Sequence, residues 1–251
     1  DPAKGVLVKG RAIFAEAVRP AAELPIAPET ARSVPVIGMP GIARVSIGTE
    51  AIEALLRGFN RGTPAAPLGD RLPEAIARTF VFFESELGAA APQGFPPLAN
   101  ALAFLLAGEA QESLGWTVPP DERPFEGIVE TYAAATESTY ASTLARGEGI
   151  GAADAESLWT AMLLRLRHAS GQRAFVQTLW TTLYECPPAS DAEVAIGNLV
   201  VATSAAGRMS FVDQFRRWRF DISETTASRV QEALAPRKLD VRPKRPGSTK
   251  R

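Results

Sequence analysis

Histidine and cysteine are nearly missing from this 251-residue chain, which holds one of each, His168 and Cys186. Those two side chains do most of the metal binding, neutral-pH proton transfer and thiolate attack in proteins. One of each excludes a His-rich zinc or iron site, a CxxC redox pair and an internal disulfide. Carboxylate, lysine, hydroxyl and backbone chemistry remain, and nothing in the sequence calls for a cofactor or a metal. Long apolar runs are missing too: the nearest, Leu98 to Ala107, ends at Gly108 and Glu109. It is about half of the ~20 residues that a membrane span needs, and it reads as a buried helix. No Asn-x-Ser/Thr triplet offers an N-glycosylation acceptor. There is no Gly-x-Ser-x-Gly elbow and no G-x-x-x-x-G-K-[ST] phosphate loop. The chain opens on Asp1 rather than methionine; a removed signal peptide, a removed transit peptide or an artificial boundary would each produce this. A lone cysteine fits an oxidising or a reducing compartment equally.

What the chain does have is helix-forming material. Hydrophobic residues make up 46% and charged ones 22%, the balance of an ordinary globular protein with enough apolar side chains for a core. Alanine is over-used, which favours helix. Residues 1–48 differ in texture from the rest. Short apolar runs (Val6 to Val8, Ala12 to Phe14) precede Pro20, Pro25, Pro28 and Pro35. Val34 to Ile37 and Ile42 to Ile47 then flank Gly38-Met39-Pro40-Gly41, which predicts a short hairpin or two extended arms, an edge element because of Pro35.

From Thr49 the spacing turns helical. Ile52, Leu55, Leu56 and Phe59 form a first stripe, with Thr49 placed to cap it. Ile76, Phe80, Phe83 and Leu87 predict a second helix, started by Pro73 and stopped by Gly88. Leu98, Leu102 and Leu105 mark a third, and Phe125, Ile128, Val129 and Tyr132 a fourth that is expected to reach Arg146. Leu158 to Leu166 and Phe175 to Leu183 give two more, ending at Gly171 and Pro187. Ser190-Asp191-Ala192-Glu193 has capping-box spacing and opens Val194 to Ala206, apolar almost all round and so expected to be the central helix. Phe211, Phe215, Trp218 and Ile222 make another stripe, with Ser210 as cap, and Val230 and Leu234 a last one before Pro236. The expected fold is all-α: a multi-helix bundle of eight or nine helices over residues 49–236, an extended arm at 1–48 and a flexible basic tail at 237–251.

Each chemical candidate has a bland counterpart. His168, in Arg165-Leu166-Arg167-His168, falls in the last turn of a helix, where cations offset the helix dipole. Cys186 precedes Pro187-Pro188 at a helix end, the wrong end to lower a thiol pKa. Gly147-Glu148-Gly149-Ile150-Gly151-Ala152 touches the dinucleotide fingerprint, but a helix precedes it where the mechanism needs a strand, so it reads as a linker. Glu126, Glu130 and Glu137 would share one helix face within about 40° at 100° per residue. With Glu84, Glu86, Glu109 and Glu112 they could bind a hard cation or do paired-carboxylate chemistry, though a solvated face looks the same.

Charge is the strongest positive signal. Residues 79–164 hold twelve acidic side chains against two basic ones, whereas 207–251 hold twelve basic against five acidic, in a chain whose total is −1. Within the basic part, Arg216, Arg217 and Arg219 interleave with Phe215, Trp218 and Phe220, and Arg237, Lys238, Arg242, Lys244 and Arg245 follow in the tail. These are the candidate binding residues. They suit a nucleic-acid backbone with base stacking, as in a coat or nucleocapsid protein. They equally suit attraction to an acidic protein surface or to another copy of the chain. The near-neutral total and the core-like aromatic spacing favour protein contact: a non-enzymatic interaction or assembly subunit. A carboxylate-dependent enzyme or helical pocket protein is the remaining alternative.

Overall fold

The computed structural model describes residues 36–38, 45–47, 71–90, 95–113, 125, 127–171 and 174–235. Val36–Gly38 (β1) and Val45–Ile47 (β2) pair antiparallel, with Val36 opposite Ile47, Ile37 opposite Ser46 and Gly38 opposite Val45. Gly38 thus belongs to the strand rather than to the turn. The rest of the expected arm, the stripe from Ile52 to Phe59 and the tail lie outside the described residues.

The fold is all-α apart from that hairpin. Nine α-helices are found among the described residues: α1 (Arg71–Arg78), α2 (Glu84–Leu87), α3 (Phe95–Ser113), α4 (Ile128–Ala134), α5 (Ala155–Ser170), α6 (Phe175–Glu185), α7 (Ala192–Gly207), α8 (Val212–Arg217) and α9 (Glu224–Leu234). Three N-caps are made by side chains: Asp154 accepts from the Ser157 N–H at 2.7 Å, Asp191 from Val194 at 3.0 Å and Ser223 from Thr226 at 3.3 Å. Asp191, not Ser190, caps α7; Ser190 donates its hydroxyl to the Asp191 carboxylate instead. A carboxylate in that position also complements the helix dipole.

Three expected helices end early, each where a distant side chain or a local hydroxyl takes over the backbone. The helix expected from Pro73 to Gly88 breaks after Arg78, where the Thr79 hydroxyl bonds back to the Ile76 carbonyl at 2.7 Å. The break frees the Phe80 carbonyl to accept the Trp180 indole N–H from α6 at 3.1 Å, and Phe83 packs edge-on against the same indole. Gly88 stops the second piece, α2, as expected, and a 3₁₀ turn (Gly88–Ala90) follows it. The helix expected to reach Arg146 ends at Ala134; Ala135 is extended, and Thr139, Ser142 and Thr143 bond their own backbone. Short hydroxyl side chains compete with the helix ladder in this way. The stripe from Phe211 to Ile222 is helical only to Arg217, with Phe211 and not Ser210 at the N-cap, although all four of its apolar members are buried.

Helix α7 is the centre, and α2, α5, α6, α8 and α9 pack around it. From Ala195 to Ser204 every residue is buried. Gly197 lets α9 approach closely: a Cβ there would sit 2.8 Å from the Thr226 hydroxyl oxygen. The one amide in this helix, Asn198, is 0% exposed. Its Nδ2 donates to the carbonyls of Glu86 (3.0 Å) and Pro187 (2.9 Å), and its Oδ1 accepts from Arg229 Nη2 at 2.7 Å. A second layer forms where α5 meets α3 and α4. Arg167 bridges Glu109 (3.0 Å) and Glu112 (2.6 Å), Arg165 pairs with Glu130, and Asn100 donates to Glu156 at 2.7 Å. Burial raises the pKa of Glu109, which the neighbouring Arg167 opposes and Glu112 reinforces.

Replacing Asn198 by alanine strands two buried carbonyls and an arginine donor. Asn198→Ala should cost about 2–4 kcal/mol, since groups left buried without partners lose their hydration too. In urea titrations the midpoint should fall while the slope stays unchanged.

Candidate functional site

The arginine–aromatic segment is the first place to look for binding. Phe211, Phe215, Trp218 and Phe220 are all buried. Phe220 stacks on Tyr140 with ring centroids 4.8 Å apart, and Phe215 packs edge-on against both Trp218 and Phe220 at 5.5 and 5.2 Å. These rings fill the core and offer no face on which a base could stack.

The three arginines between them have separate fates. Arg219 sits in the left-handed region at φ 59°, a conformation that costs a non-glycine residue roughly 1–2 kcal/mol. The reversal turns its guanidinium back onto the end of α4. There it donates to the carbonyls of Ala133 (2.7 Å), Ser138 (2.8 Å) and Ala135. The planar fork thereby serves three carbonyls at a helix C-terminus, where a cation also meets the negative end of the dipole. Arg216 donates to the Ile222 carbonyl at 3.2 Å and to Glu224 at 2.7 Å, closing the turn between α8 and α9. Arg217 is exposed, and no described residue pairs with it. Arg237, Lys238, Arg242, Lys244 and Arg245 lie outside the described residues.

Glu130 and Glu137 do not share a helix. Glu130 is on α4, Glu137 lies beyond the end of that helix, and Glu126 is outside the described residues. Both described members are exposed, and Glu130 is paired to Arg165. No group of three or more His, Cys, Asp or Glu able to hold a metal occurs among the described residues. His168 is exposed at the end of α5, and its carbonyl accepts the Gly171 N–H at 3.3 Å. Cys186 follows α6 directly, with its Sγ 3.9 Å from the Asn198 carbonyl. Burial pushes the thiol up to about 11, with Arg229 opposing the shift and Glu86 and Glu185 adding to it. Burial likewise raises Tyr132 and Tyr140, which keeps both phenols neutral.

The glycine segment after α4 is a tight reverse turn. Ile150 and Ala153 exchange backbone bonds at 2.8 and 3.0 Å, and a Cβ on Gly149 would lie 1.9 Å from the Ala153 carbonyl oxygen. Glycine is needed there for the close approach of the Ala153 carbonyl. Between this turn and the first turn of α4 lies a hollow of about 400 Å³, lined by Gly127, Ile128 and Thr131 on one side and by residues 150–153 and Ser157 on the other. Nothing in the order of residues singled it out, because its two walls are about twenty residues apart and meet only once α4 ends early.

Two measurements separate structural from available groups. Arg219→Ala should lower stability by about 2 kcal/mol, as befits a charged donor to three carbonyls, and Arg217→Ala should change it by less than about 0.5 kcal/mol. Cys186 should be alkylated at pH 8 about a hundredfold more slowly in the folded chain than in urea, as a two-unit rise in thiol pKa requires; equal rates would place the thiol in open solvent. No protein-family model matches this chain, and neither a curated protein nor a solved structure is significantly similar to it, so its own chemistry is the ground for a functional reading.

Proposed function

We propose that this chain is a non-enzymatic interaction or assembly subunit, held to its neighbours by opposite charges carried on separate parts of the molecule. The observation that carries the reading is where the cations go. Within the helical body, Arg165, Arg167, Arg216, Arg219 and Arg229 are tied to carboxylates, carbonyls or an amide of the same chain. Residues 71–235 hold twenty Asp or Glu against twelve Lys or Arg, a net of −8. Residues 236–251 hold seven Lys or Arg against one Asp, a net of +6. Glu84, Glu137, Glu148, Glu193 and Glu232 stand exposed on the body. Such a chain is nearly neutral as a whole, yet each end attracts the other end of a neighbour.

The buried aromatics weigh against the nucleic-acid alternative, since a stacking platform needs open rings. An acidic body also repels phosphate, which leaves only the tail to bind it. The scattered carboxylates and the raised Cys186 thiol weigh against the enzyme alternative in the same way.

Light scattering of the purified chain across a salt series tests the reading. The mass should exceed the 26.7 kDa of one chain at low salt and fall toward it near 1 M, where the Debye length is about 3 Å. A mass of one chain at every salt concentration rejects assembly with itself. Nucleic acid that co-purifies and is released steeply with salt moves the function to the tail's phosphate contacts.

A further inference from the structure

The hollow between α4 and the turn into α5 has an uncharged floor inside an acidic stretch of chain. Residues 127–157 carry five acidic side chains and one arginine, and Arg165 offsets one of the five. Two helices begin at its edge, and their N-terminal dipoles would favour an anion. Both are already answered from within: Asp154 accepts the Ser157 N–H, and Glu130 lies in the first turn of α4. Glu148 and Asp154, both exposed, flank the lining residues 150–153 in the sequence. An occupant of matching chemistry has apolar side chains for the floor and cations for the rim.

The chain contains such a segment. Arg237-Lys238-Leu239-Asp240-Val241-Arg242 sets two apolar residues among three cations. In an extended chain, positions i and i+2 point the same way, so Leu239 and Val241 would face one surface together. We propose that residues 237–242 of a second copy dock in this hollow, with Leu239 and Val241 against Ile128 and Ile150 and with the basic residues meeting Glu148 and Asp154. The helix from which the segment leaves, α9, packs on α7, whereas the hollow lies between α4 and α5. The sixteen residues from 236 onward can span roughly 50 Å at about 3.3 Å each, enough to bridge two bodies. The docking rests on the assembly reading, because a tail that closed on its own body would cancel the charges that draw copies together. A tail on one copy and a hollow on the next form a head-to-tail contact, which closes into a ring or extends into a filament.

The test uses the full-length chain with a photoreactive benzophenone amino acid at position 239, mixed with an isotope-labelled copy and mapped by mass spectrometry. Cross-links should fall on Ile128, Thr131 or residues 150–153 of the other isotopic form. Ala152→Arg, which adds a cation at an exposed position of the rim, should reduce them at least tenfold. Cross-links elsewhere, cross-links to the hollow of the same copy, or indifference to Ala152→Arg would each overturn the docking. Light scattering of the same samples keeps the two proposals apart: association without these cross-links sinks the docking alone, and a mass of one chain throughout sinks both.

Discussion

Helix α7 has no side that faces water along most of its length, and the rest of the body is arranged to satisfy that. Burying a Leu, Val or Ile side chain is worth about 1.5–3 kcal/mol each, so a helix with Ile196, Leu199, Val200 and Val201 in sequence gains most when it is enclosed. Enclosure brings its own demand, because an amide inside such a helix must find partners. Asn198 finds three, on α2, on the segment after α6 and on α9. Apolar burial brings these elements together without fixing their register; the amide's three bonds fix it. Gly197, one residue earlier, lets α9 close to the distance at which Arg229 can reach that amide.

Arg219 does for the outer layer what Asn198 does for the centre. It adopts a backbone conformation that most side chains avoid, and its bonds to three carbonyls at and just beyond the end of α4 offset that cost. Ending α4 early lets the chain fold back as the glycine turn and so creates the hollow beside α5. The residue that most resembles a nucleic-acid contact on paper therefore holds a loop in place.

These dependencies explain what could and could not be read from the order of residues. The all-α class, the existence of the long helices and the centrality of Val194 to Ala206 follow from 3.6-residue spacing, which is a local property. The burial of Phe211, Phe215 and Trp218 follows from the same spacing. The breaks after Arg78 and Ala134 do not, because their partners, Trp180 and Arg219, lie about a hundred and about eighty-five positions away. Locally, both segments look like uninterrupted helix. The hollow shares that invisibility, since it exists only because one of those helices stops. Polarised charge was legible from the start, but that Arg165, Arg167, Arg216, Arg219 and Arg229 are tied within the body needed the contacts.

That sorting determines how the chain can act on a neighbour. An arginine already bonded to a single carboxylate contributes little beyond its own pair, as Arg165 does with Glu130. Its field and its partner's nearly cancel within a few ångströms. Residues 236–251 carry a net of +6 and residues 71–235 a net of −8. In the assembly proposed above, two such regions would attract over a Debye length, about 8 Å at physiological ionic strength, before any contact forms. Long-range attraction of this kind sets the encounter but not the register. The register needs a shape, and the proposed docking assigns that part to the uncharged hollow between α4 and the turn into α5, where apolar side chains flanked by cations would be told from cations alone.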